Sequence, residues 1–412
     1  MNGNAIISLG LGLQEPWKIT GQTLDTEKTP HELRLEVSAE RGAKYPCPEC
    51  GAMCNAHDFI TKTWRHLNFF QHHCYVTAPV PRVRCLEHGV KQIKVPWARP
   101  GSKFTLLFEE AAILLTMQMP VSVCAGLLEI DDKMLWRIIG FHVNRAMAGI
   151  DLSQLKAFAV DETSARREHR YVTVFTDQDR KTRPVAFAVP GKGKETIKAF
   201  KNHLESHGGA AGNVRDVVSD MSGPFLAGIG QHFGNARKTV DWFHAVQLFT
   251  KALDQTRRLE AKTAKLPTAT RWAVLKSGNL TEKQENALSE LQRMNLHTAS
   301  AWRVKKMLRW VRLAATPQAA KWRMTNFLSV ASELAASSPL LAPVRKALAT
   351  VQKHRQAILA RWESGYSNAR AESLNGIFQA ANRRARGYRN GNSFITIIYL
   401  LAAPIHNILK ST

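Results

Sequence analysis

The sequence predicts a multidomain α/β protein with a small β-rich head, a helical segment, and a mixed-sheet core interrupted by an all-helical insertion. Three observations support this fold class. Cysteines and short β-like runs such as "HELRLEVSAE" concentrate in the first hundred residues. From residue 155, short apolar runs alternate with amphipathic segments, a pattern typical of a mixed α/β sheet. A long helical stretch with isolated tryptophans then separates this region from the last helices.

These changes in composition define the predicted boundaries. The head covers residues 1–100, and three helices cover 101–150. The first part of the core covers 151–264, the helical insertion covers 265–345, and the C-terminal helices of the core cover 346–412. The predicted core strands are the runs "LKAFAVD", "RYVTVFTD", "RPVAFAVP", "VRDVVSD" and "ARKTV". A chain of 412 residues is long enough to bury more than one core.

The chain is strongly basic. It has 57 Lys and Arg residues against 33 Asp and Glu, which leaves a formal net charge of +24. Such an excess indicates a polyanionic partner, and nucleic acid is the commonest. No apolar run reaches the roughly 18 residues of a membrane-spanning helix, and the N-terminus lacks the basic start of a signal peptide. We therefore expect a cytoplasmic protein of bacterial type.

Two short turns in the head predict a metal site. "YPCPECG" places Cys47 and Cys50 before Gly51, and "RVRCLEHG" places Cys85 and His88 at the same spacing before a second glycine. Two such knuckles are typical of a zinc ribbon with four protein ligands, so the zinc is expected to be structural. The unusually long gap between the knuckles predicts a long hairpin. His88 is the ligand that another residue of the head could most easily replace. The possible substitutes are Cys54, His57, His72, His73 and Cys74.

The segment "FTLLFEEAAILLTMQMPVSVCAGLLEIDDKMLWRIIGFHVNR" predicts three helices. Pro120 begins the second helix, and Asp131 or Asp132 caps the third. A short helix, a tight turn and a longer helix form a helix-turn-helix, whose last helix enters the major groove of DNA. A purely structural helical hairpin is the alternative. The expected DNA contacts are the basic residues of the third helix, Lys133, Arg137 and Arg145.

Two aspartates are predicted to close buried strands. Asp161 follows the apolar run in "LKAFAVDET", and Asp220 ends the run in "VRDVVSDMS". Capping of the following loop would explain either residue alone. If the two strands are neighbours, however, both carboxylates meet at one edge of the sheet. Oxygen donors of this kind suit Mg²⁺, and two such ions about 4 Å apart can act on a phosphodiester.

A third carboxylate lies on the predicted helix in "SNARAESLNGIFQAANRRARGYRN". With Ser367 as the N-cap and Gly387 just past the end, Glu372 projects from the same polar face as Arg383 and Arg386. One explanation is the helix dipole, because acids favour the N-terminus of a helix and bases its C-terminus. The other is a third metal ligand followed by arginines that bind DNA.

Four motifs, taken in order, resemble those of the DDE transposases of ISL-type bacterial insertion sequences: "VDETS", "SDMSGPF", "DWFHAVQL" and "SNARAESLNGIFQAANRRARGYR". The similarity extends from the cysteine head to the last helix. It implies a ribonuclease H-like core and a catalytic triad of Asp161, Asp220 and Glu372 that holds two Mg²⁺ or Mn²⁺ ions. Asp241 and His244 match the family's Asp-x-Phe-His element and are expected to support the metal ligands or position DNA.

The resemblance implies a transposase that binds the terminal repeats of its insertion sequence, cleaves DNA there and transfers the ends into target DNA. Synapsis of two ends implies a homodimer or a larger assembly. Phosphate contacts, which weaken steeply with salt, are expected from Arg383, Arg384, Arg386 and Arg389, and from Lys305, Lys306, Arg309 and Arg312 in the insertion. The alternatives are a non-catalytic DNA-binding regulator derived from a transposase, and a nuclease that cuts without strand transfer.

Overall fold

The computed structural model describes residues 3–40, 42–166, 170–276 and 279–404. The chain divides into two compact units, Met1–Ala146 and Met147–Pro404. Within the described ranges, no helix is both long enough and apolar enough to cross a membrane.

One helix and six strands begin the first unit: α1 (Gly3–Gly10), β1 (Trp17–Asp25), β2 (Glu32–Ala39), β3 (Lys44–Pro46), β4 (Met53–Phe69), β5 (His72–Cys85) and β6 (Gly89–Gln92). The strands form one sheet in the order β1-β2-β5-β4-β3, and β6 pairs with β5. Alternate residues of β5 are buried, and three tryptophans pack edge to face in the core. The Trp17 and Trp97 ring centroids are 4.9 Å apart, and those of Trp64 and Trp97 are 5.6 Å apart.

The long hairpin that the sequence predicts between the two knuckles is formed by β4 and β5, which are 17 and 14 residues long. The two strands are antiparallel, and Phe69 pairs with His72 at the turn. At the other end Ala56 pairs with Val83. The hairpin therefore returns the chain to its starting point, where it brings the two knuckles together.

Three helices complete the first unit: α2 (Leu106–Gln118), α3 (Val121–Leu128) and α4 (Asp132–Ala148). Pro120 is the N-cap of α3, as the sequence predicts. Of the two proposed caps for α4, Asp131 is the one that acts, because its Oδ1 accepts a 2.7 Å hydrogen bond from the Lys133 amide. Glu129 begins the turn between α3 and α4, and its backbone is in the left-handed conformation. The tight turn and the longer third helix form the predicted helix-turn-helix.

A buried carboxylate joins these helices. Glu109 on α2 is fully buried, and it accepts hydrogen bonds from Arg99 Nε at 2.8 Å and Ser102 Oγ at 2.6 Å. Its Oε2 is also 2.7 Å from His142 Nε2 on α4. Burial alone would raise the pKa of Glu109, but the hydrogen bonds from His142, Arg99 and Ser102 outweigh burial and lower it. This network ties the segment before α2 to both α2 and α4.

The second unit begins with a mixed α/β region. Its elements are β7 (Ala157–Arg166), β8 (Arg170–Asp177), β9 (Val185–Pro190), α5 (Lys194–Ser206), β10 (Asp216–Ser219), α6 (Gly223–His232), β11 (Arg237–Val240) and α7 (Trp242–Glu260). The five strands form one sheet in the order β11-β10-β7-β8-β9. β7, β8 and β9 are antiparallel neighbours, whereas β10 runs parallel to both β7 and β11. This arrangement confirms the mixed-sheet core.

A run of helices separates this sheet from the C-terminus: α8 (Thr270–Leu275), α9 (Glu282–Arg293), α10 (His297–Arg312), α11 (Pro317–Ala336), α12 (Ala342–Lys353), α13 (Arg355–Leu359), α14 (Arg361–Ser364), α15 (Ala369–Arg384) and α16 (Gly391–Ala402). Helices α10 to α13 share one hydrophobic core with α7, in which the Phe249 and Phe327 rings lie edge to face at 5.6 Å. This core continues as far as Ile358, beyond the predicted end of the insertion at 345.

Glu260, at the end of α7, holds the start of α10. Its carboxylate is 2 % exposed, and it accepts hydrogen bonds from the backbone amides of His297 at 2.7 Å and Thr298 at 2.8 Å. The Thr298 hydroxyl donates a third, at 2.6 Å. A carboxylate at a helix N-terminus satisfies amides that lack an intrahelical partner. Glu260 therefore fixes the position of α10 against α7.

Candidate functional site

The two knuckles of the head bring four side chains together. The ligand atoms of Cys47, Cys50, Cys85 and His88 all lie within 4.8 Å of one another. Cys50 Sγ is 3.6 Å from Cys85 Sγ, and His88 Nδ1 is 3.6 Å from Cys85 Sγ and 4.0 Å from Cys47 Sγ. A tetrahedral zinc ion with Zn–S bonds of ~2.3 Å requires ligand separations of about 3.8 Å. The four side chains therefore fit a structural zinc ion.

The surrounding backbone and charges suit the same role. Gly51 and Gly89 have φ of 76° and 66°, so each knuckle makes the tight turn that favours glycine. A hydrogen bond with His88 lowers the pKa of Cys85 to about 6, which favours the thiolate that binds metal. Cys54, one of the alternative ligands, instead donates from Sγ to the Ala52 carbonyl at 3.3 Å.

The basic residues predicted to contact DNA from the helix-turn-helix are exposed. Lys133, Arg137 and Arg145 all lie on the solvent side of α4. The opposite side of this helix is buried, through Leu135, Ile138, Ile139, His142 and Val143. The exposed face of α4 therefore carries cationic side chains on a helix anchored by its apolar face.

Asp161 lies within its strand rather than at the strand's end. The prediction that the strand stops at Asp161 was wrong, because β7 continues to Arg166. Asp161 Oδ1 accepts from the Glu162 amide at 2.8 Å, and its Oδ2 accepts from Asn375 Nδ2 at 2.9 Å. β10 runs parallel to β7, with Val218 opposite Ala159. Continuing this register places Asp220, just past the end of β10, opposite Asp161.

Helix α15 carries Glu372 along the edge of β7. Asn368, rather than the predicted Ser367, is the N-cap, and α15 ends at Arg384. Gln379 Nε2 donates to Thr163 Oγ1 and to the Ser164 carbonyl, each at 2.8 Å. The polar face of α15 therefore binds the strand, a role that its spacing alone did not reveal. The signal that could have found it is the repetition of amide side chains at Asn375, Gln379 and Asn382.

The DWFH segment lies beside Glu372. The ligand atoms of Asp241, His244 and Glu372 all lie within 4.8 Å of one another. Asp241 is the N-cap of α7, and its Oδ2 accepts from the Phe243 amide at 2.9 Å. Its Oδ1 accepts from the Asn368 amide at 3.3 Å, which links the starts of α7 and α15. Sequence reasoning gave Asp241 and His244 only a supporting role, whereas the structure places both beside Glu372.

The carboxylates of this region repel one another. Burial raises the pKa of Asp161, and the negative charge of Asp220 raises it further. Burial also raises the pKa of Glu372, and the charges of Asp241 and Asp161 add to the shift. Asp161, Asp220, Asp241 and Glu372, together with His244, are hereafter the carboxylate cluster. Its four acids concentrate negative charge in a partly buried site. A divalent cation would relieve this repulsion.

Asn368 adds a buried polar group to the same site. Its side chain is 0 % exposed, and its presence favours the charged form of Asp161. Neither its Nδ2 nor its Oδ1 has a hydrogen bond of ordinary geometry within the described part of the chain. Buried polar atoms of this kind are uncommon without a partner. Together, the oxygen-rich donor set and this buried amide fit a hydrated divalent metal ion.

The predicted arginines after Glu372 are spread over the end of α15 and the following loop. Arg383 and Arg384 are exposed in the last turn of the helix, and Arg389 is exposed in the loop. Arg386 lies outside the helix, with φ of 55°, so it does not continue the polar face of Glu372 as predicted. The basic residues of the insertion, Lys305, Lys306, Arg309 and Arg312, line a cavity.

Three protein-family models match the chain. One described as "Transposase", for the DDE domain of ISL3 elements, matches residues 158–398. The helix-turn-helix domain of transposase family ISL3 matches residues 93–143. The zinc finger of transposases IS204, IS1001, IS1096 and IS1165 matches residues 44–88.

The chain is similar to named transposases over most of its length. The transposase for insertion sequence element IS1557 of Mycobacterium tuberculosis is 26 % identical over 394 residues, which cover 87 % of this chain and 85 % of the relative. The transposase for IS1001 of Bordetella parapertussis is 23 % identical over 84 % of this chain and 86 % of its own length. The DDE model alone matches more than half of the chain. The chain therefore belongs to the ISL3 family of DDE transposases.

Proposed function

We propose that this protein binds the terminal repeats of its insertion sequence and catalyses metal-dependent cleavage and strand transfer of DNA, with Asp161, Asp220 and Glu372 as the catalytic carboxylates. The observation that carries the proposal is the carboxylate cluster. It gathers acids from two neighbouring parallel strands and one helix, and burial, reinforced by the neighbouring negative charges, raises the pKa values of Asp161 and Glu372. Membership of the DDE transposase family supports the same assignment.

The triad would hold two Mg²⁺ or Mn²⁺ ions. When bound, these ions supply Lewis acidity at the attacking and leaving oxygens of the phosphodiester. The protein's part is to orient the ligands. Asn375 and the Glu162 amide each donate to one oxygen of Asp161 and so hold that carboxylate in place. Asp241 joins the start of α7 to the start of α15 and so fixes Glu372 and His244 side by side.

The head and the helix-turn-helix would recognise DNA. Cys47, Cys50, Cys85 and His88 would hold one structural zinc ion that stabilises the head. Lys133, Arg137 and Arg145 would contact the groove or backbone from α4. Arg383, Arg384, Arg386 and Arg389 would neutralise phosphates near the carboxylate cluster. We infer that the protein acts in the cytoplasm, on double-stranded DNA at the element ends and at the target, as a homodimer or larger assembly.

An excision assay tests the proposal. A plasmid would carry the gene with its native flanks in a bacterial host, beside matched Glu372→Gln and Asp220→Asn versions. Glu205→Gln, at an exposed position of α5, serves as the control substitution. We expect excision and new insertions from the wild type and from Glu205→Gln only, with all four proteins able to bind the ends. Excision by Glu372→Gln would show that Glu372 is not one of the catalytic carboxylates. End binding without movement by any version would favour the non-catalytic regulator.

A further inference from the structure

A cavity of about 560 Å³ lies between α7, the end of α8 and α10. Its size is within the ~300–1,000 Å³ range of small-molecule sites. The residues that line it in the described part of the chain include no acid. They do include two tryptophans and a row of cations on α10, and the six that matter most are Trp242, Trp302, Lys305, Lys306, Arg309 and Arg312.

The cavity wall includes the residue that follows Asp241 of the carboxylate cluster in the chain. Trp242, which forms part of its wall, is the first residue of α7 and directly follows Asp241 in the chain. Asp241 lies beside Glu372. Since adjacent Cα atoms are ~3.8 Å apart, one helix start presents a carboxylate to the cluster and an aromatic ring to the cavity. A DNA strand held at the cluster would pass close to the cavity.

The aromatic walls differ in their freedom to move. Trp242 is 3 % exposed and packs edge to face against Trp362, with ring centroids 5.7 Å apart. Trp302 is half-buried, and Lys306 Nζ lies 5.2 Å from its ring centroid. Trp242 is therefore a fixed wall, whereas Trp302 presents a partly accessible ring beside a cation.

The cations also divide into fixed and available groups. Lys305 Nζ donates to the Leu275 carbonyl at 3.0 Å and so ties α10 to the end of α8. Arg309 and Arg312 follow one and two turns later and are exposed. Neither forms an ion pair with any acid in the described part of the chain. Their charge is thus available to a ligand, on a helix whose start is held by Glu260.

This chemistry fits one class of ligand. Aromatic rings next to unpaired cations bind bases by stacking and phosphates by charge, without a requirement for a particular sequence. A base inside a duplex cannot present its face to Trp302, so the nucleotide must be unpaired. We propose that the cavity receives an unpaired nucleotide of the DNA next to the cleavage site, with its base on Trp302 and its phosphates on Arg309 and Arg312. The proposal rests on the proposed function, because it assumes DNA at the carboxylate cluster.

Binding measurements on the full-length protein test the proposal. The probes are a short duplex with a single-stranded tail that contains 2-aminopurine, and the same duplex with a blunt end. Without added Mg²⁺ or Mn²⁺, we expect the wild type to prefer the tailed probe and to quench 2-aminopurine by stacking. Trp302→Ala should reduce this preference about tenfold, whereas Trp302→Phe should keep most of it. The control Trp322→Ala removes an exposed tryptophan that packs on Trp310 outside the cavity, and it should bind as the wild type does.

Each outcome decides the proposal. Equal affinity of the wild type for the two probes would overturn it, and so would an unchanged preference and quench in Trp302→Ala. Displacement of the tail by dTMP at a similar concentration would also overturn it, in favour of a site for free nucleotides. Cleavage is measured separately with Mg²⁺. A tail preference in a protein that never cleaves would retain the nucleotide site and remove the catalytic proposal. Cleavage without a tail preference would retain the catalytic proposal and remove the nucleotide site.

Discussion

The side-chain amide of Asn375 donates a 2.9 Å hydrogen bond to Oδ2 of Asp161, and it thereby joins the helix that carries Glu372 to the strand that carries the first aspartate. The two residues are far apart in sequence, yet they determine how two proposed catalytic carboxylates face each other. Asn375 also donates to the Glu162 carbonyl at 3.2 Å. These two hydrogen bonds fix the position of α15 along the length of β7.

Asn375→Asp should abolish cleavage while leaving DNA binding intact. The substitution replaces an N–H donor with a negative charge that faces Asp161, so the two groups repel each other. Loss of a group that positions a metal ligand typically costs 10–100-fold in activity, and the added charge should increase that loss. Rates of end cleavage and affinities for end DNA, measured on the same protein, check this. Gln379→Glu, one turn further along the same face, is the matched control and should cost less. Equal losses from both variants would mean that α15 acts only as a structural support.

Glu372→Gln should stabilise the protein at neutral pH in the absence of added Mg²⁺ or Mn²⁺. Burial and neighbouring charges raise the pKa of Glu372 above 4.5, so folding favours its protonated form. The ionised carboxylate therefore costs stability as the pH rises through the raised pKa, and this cost is absent below pH 4.5. Gln has no charge to bury, and we expect a rise in Tm of a few degrees at pH 7 that disappears in acid.

The same thermal-unfolding measurement also tests whether the carboxylate cluster binds a divalent metal ion. Added Mn²⁺ should raise the Tm of the wild type because it binds the folded cluster, and it should raise the Tm of Glu372→Gln much less. Glu205→Gln, at an exposed position of α5, should follow the wild type throughout. A lower Tm for Glu372→Gln at pH 7 would show that its carboxylate is stabilised by neighbouring groups rather than repelled by them.

Zinc removal should unfold the head without unfolding the core. Cys47→Ser removes one of the four ligands gathered by the knuckles, and structural zinc sites contribute directly to folding. We expect the zinc content to fall from one ion per chain to almost none, and the head to unfold at a lower temperature than in the wild type or to be unfolded from the start. Cys54→Ser is the control, because its sulfur lies outside the group of four. Retained zinc in Cys47→Ser would exclude Cys47 from the ligands.

The sequence predicted the sheet of the second unit well because its strands are short, apolar and bounded by turns. It predicted the head less completely. β4 carries mostly polar and exposed residues, so its 17 residues give no apolar pattern, and only pairing with β5 makes them a strand. In the candidate site, too, some features can be predicted from the sequence and others cannot. Motif order predicts Asp161, Asp220 and Glu372 as the triad, but the contacts of Asn368 and Asn375 depend on how α15 lies against β7, which no local pattern encodes.

Glu109→Gln should destabilise the first unit by about 3–5 kcal/mol, because it removes a buried charge from partners that stay buried. The pKa of Glu109 is lowered in the folded protein, so its contribution is fully present above pH 4.5 and is lost as the pH falls through the lowered value. Chemical denaturation at pH 7 and in acid should therefore show a difference between the wild type and Glu109→Gln that shrinks on acidification. Glu110→Gln, at the neighbouring and less buried position, should change stability by less than 0.5 kcal/mol, as surface substitutions usually do. A difference that grows in acid would show that the network is held by His142 and Arg99 without the charge of Glu109.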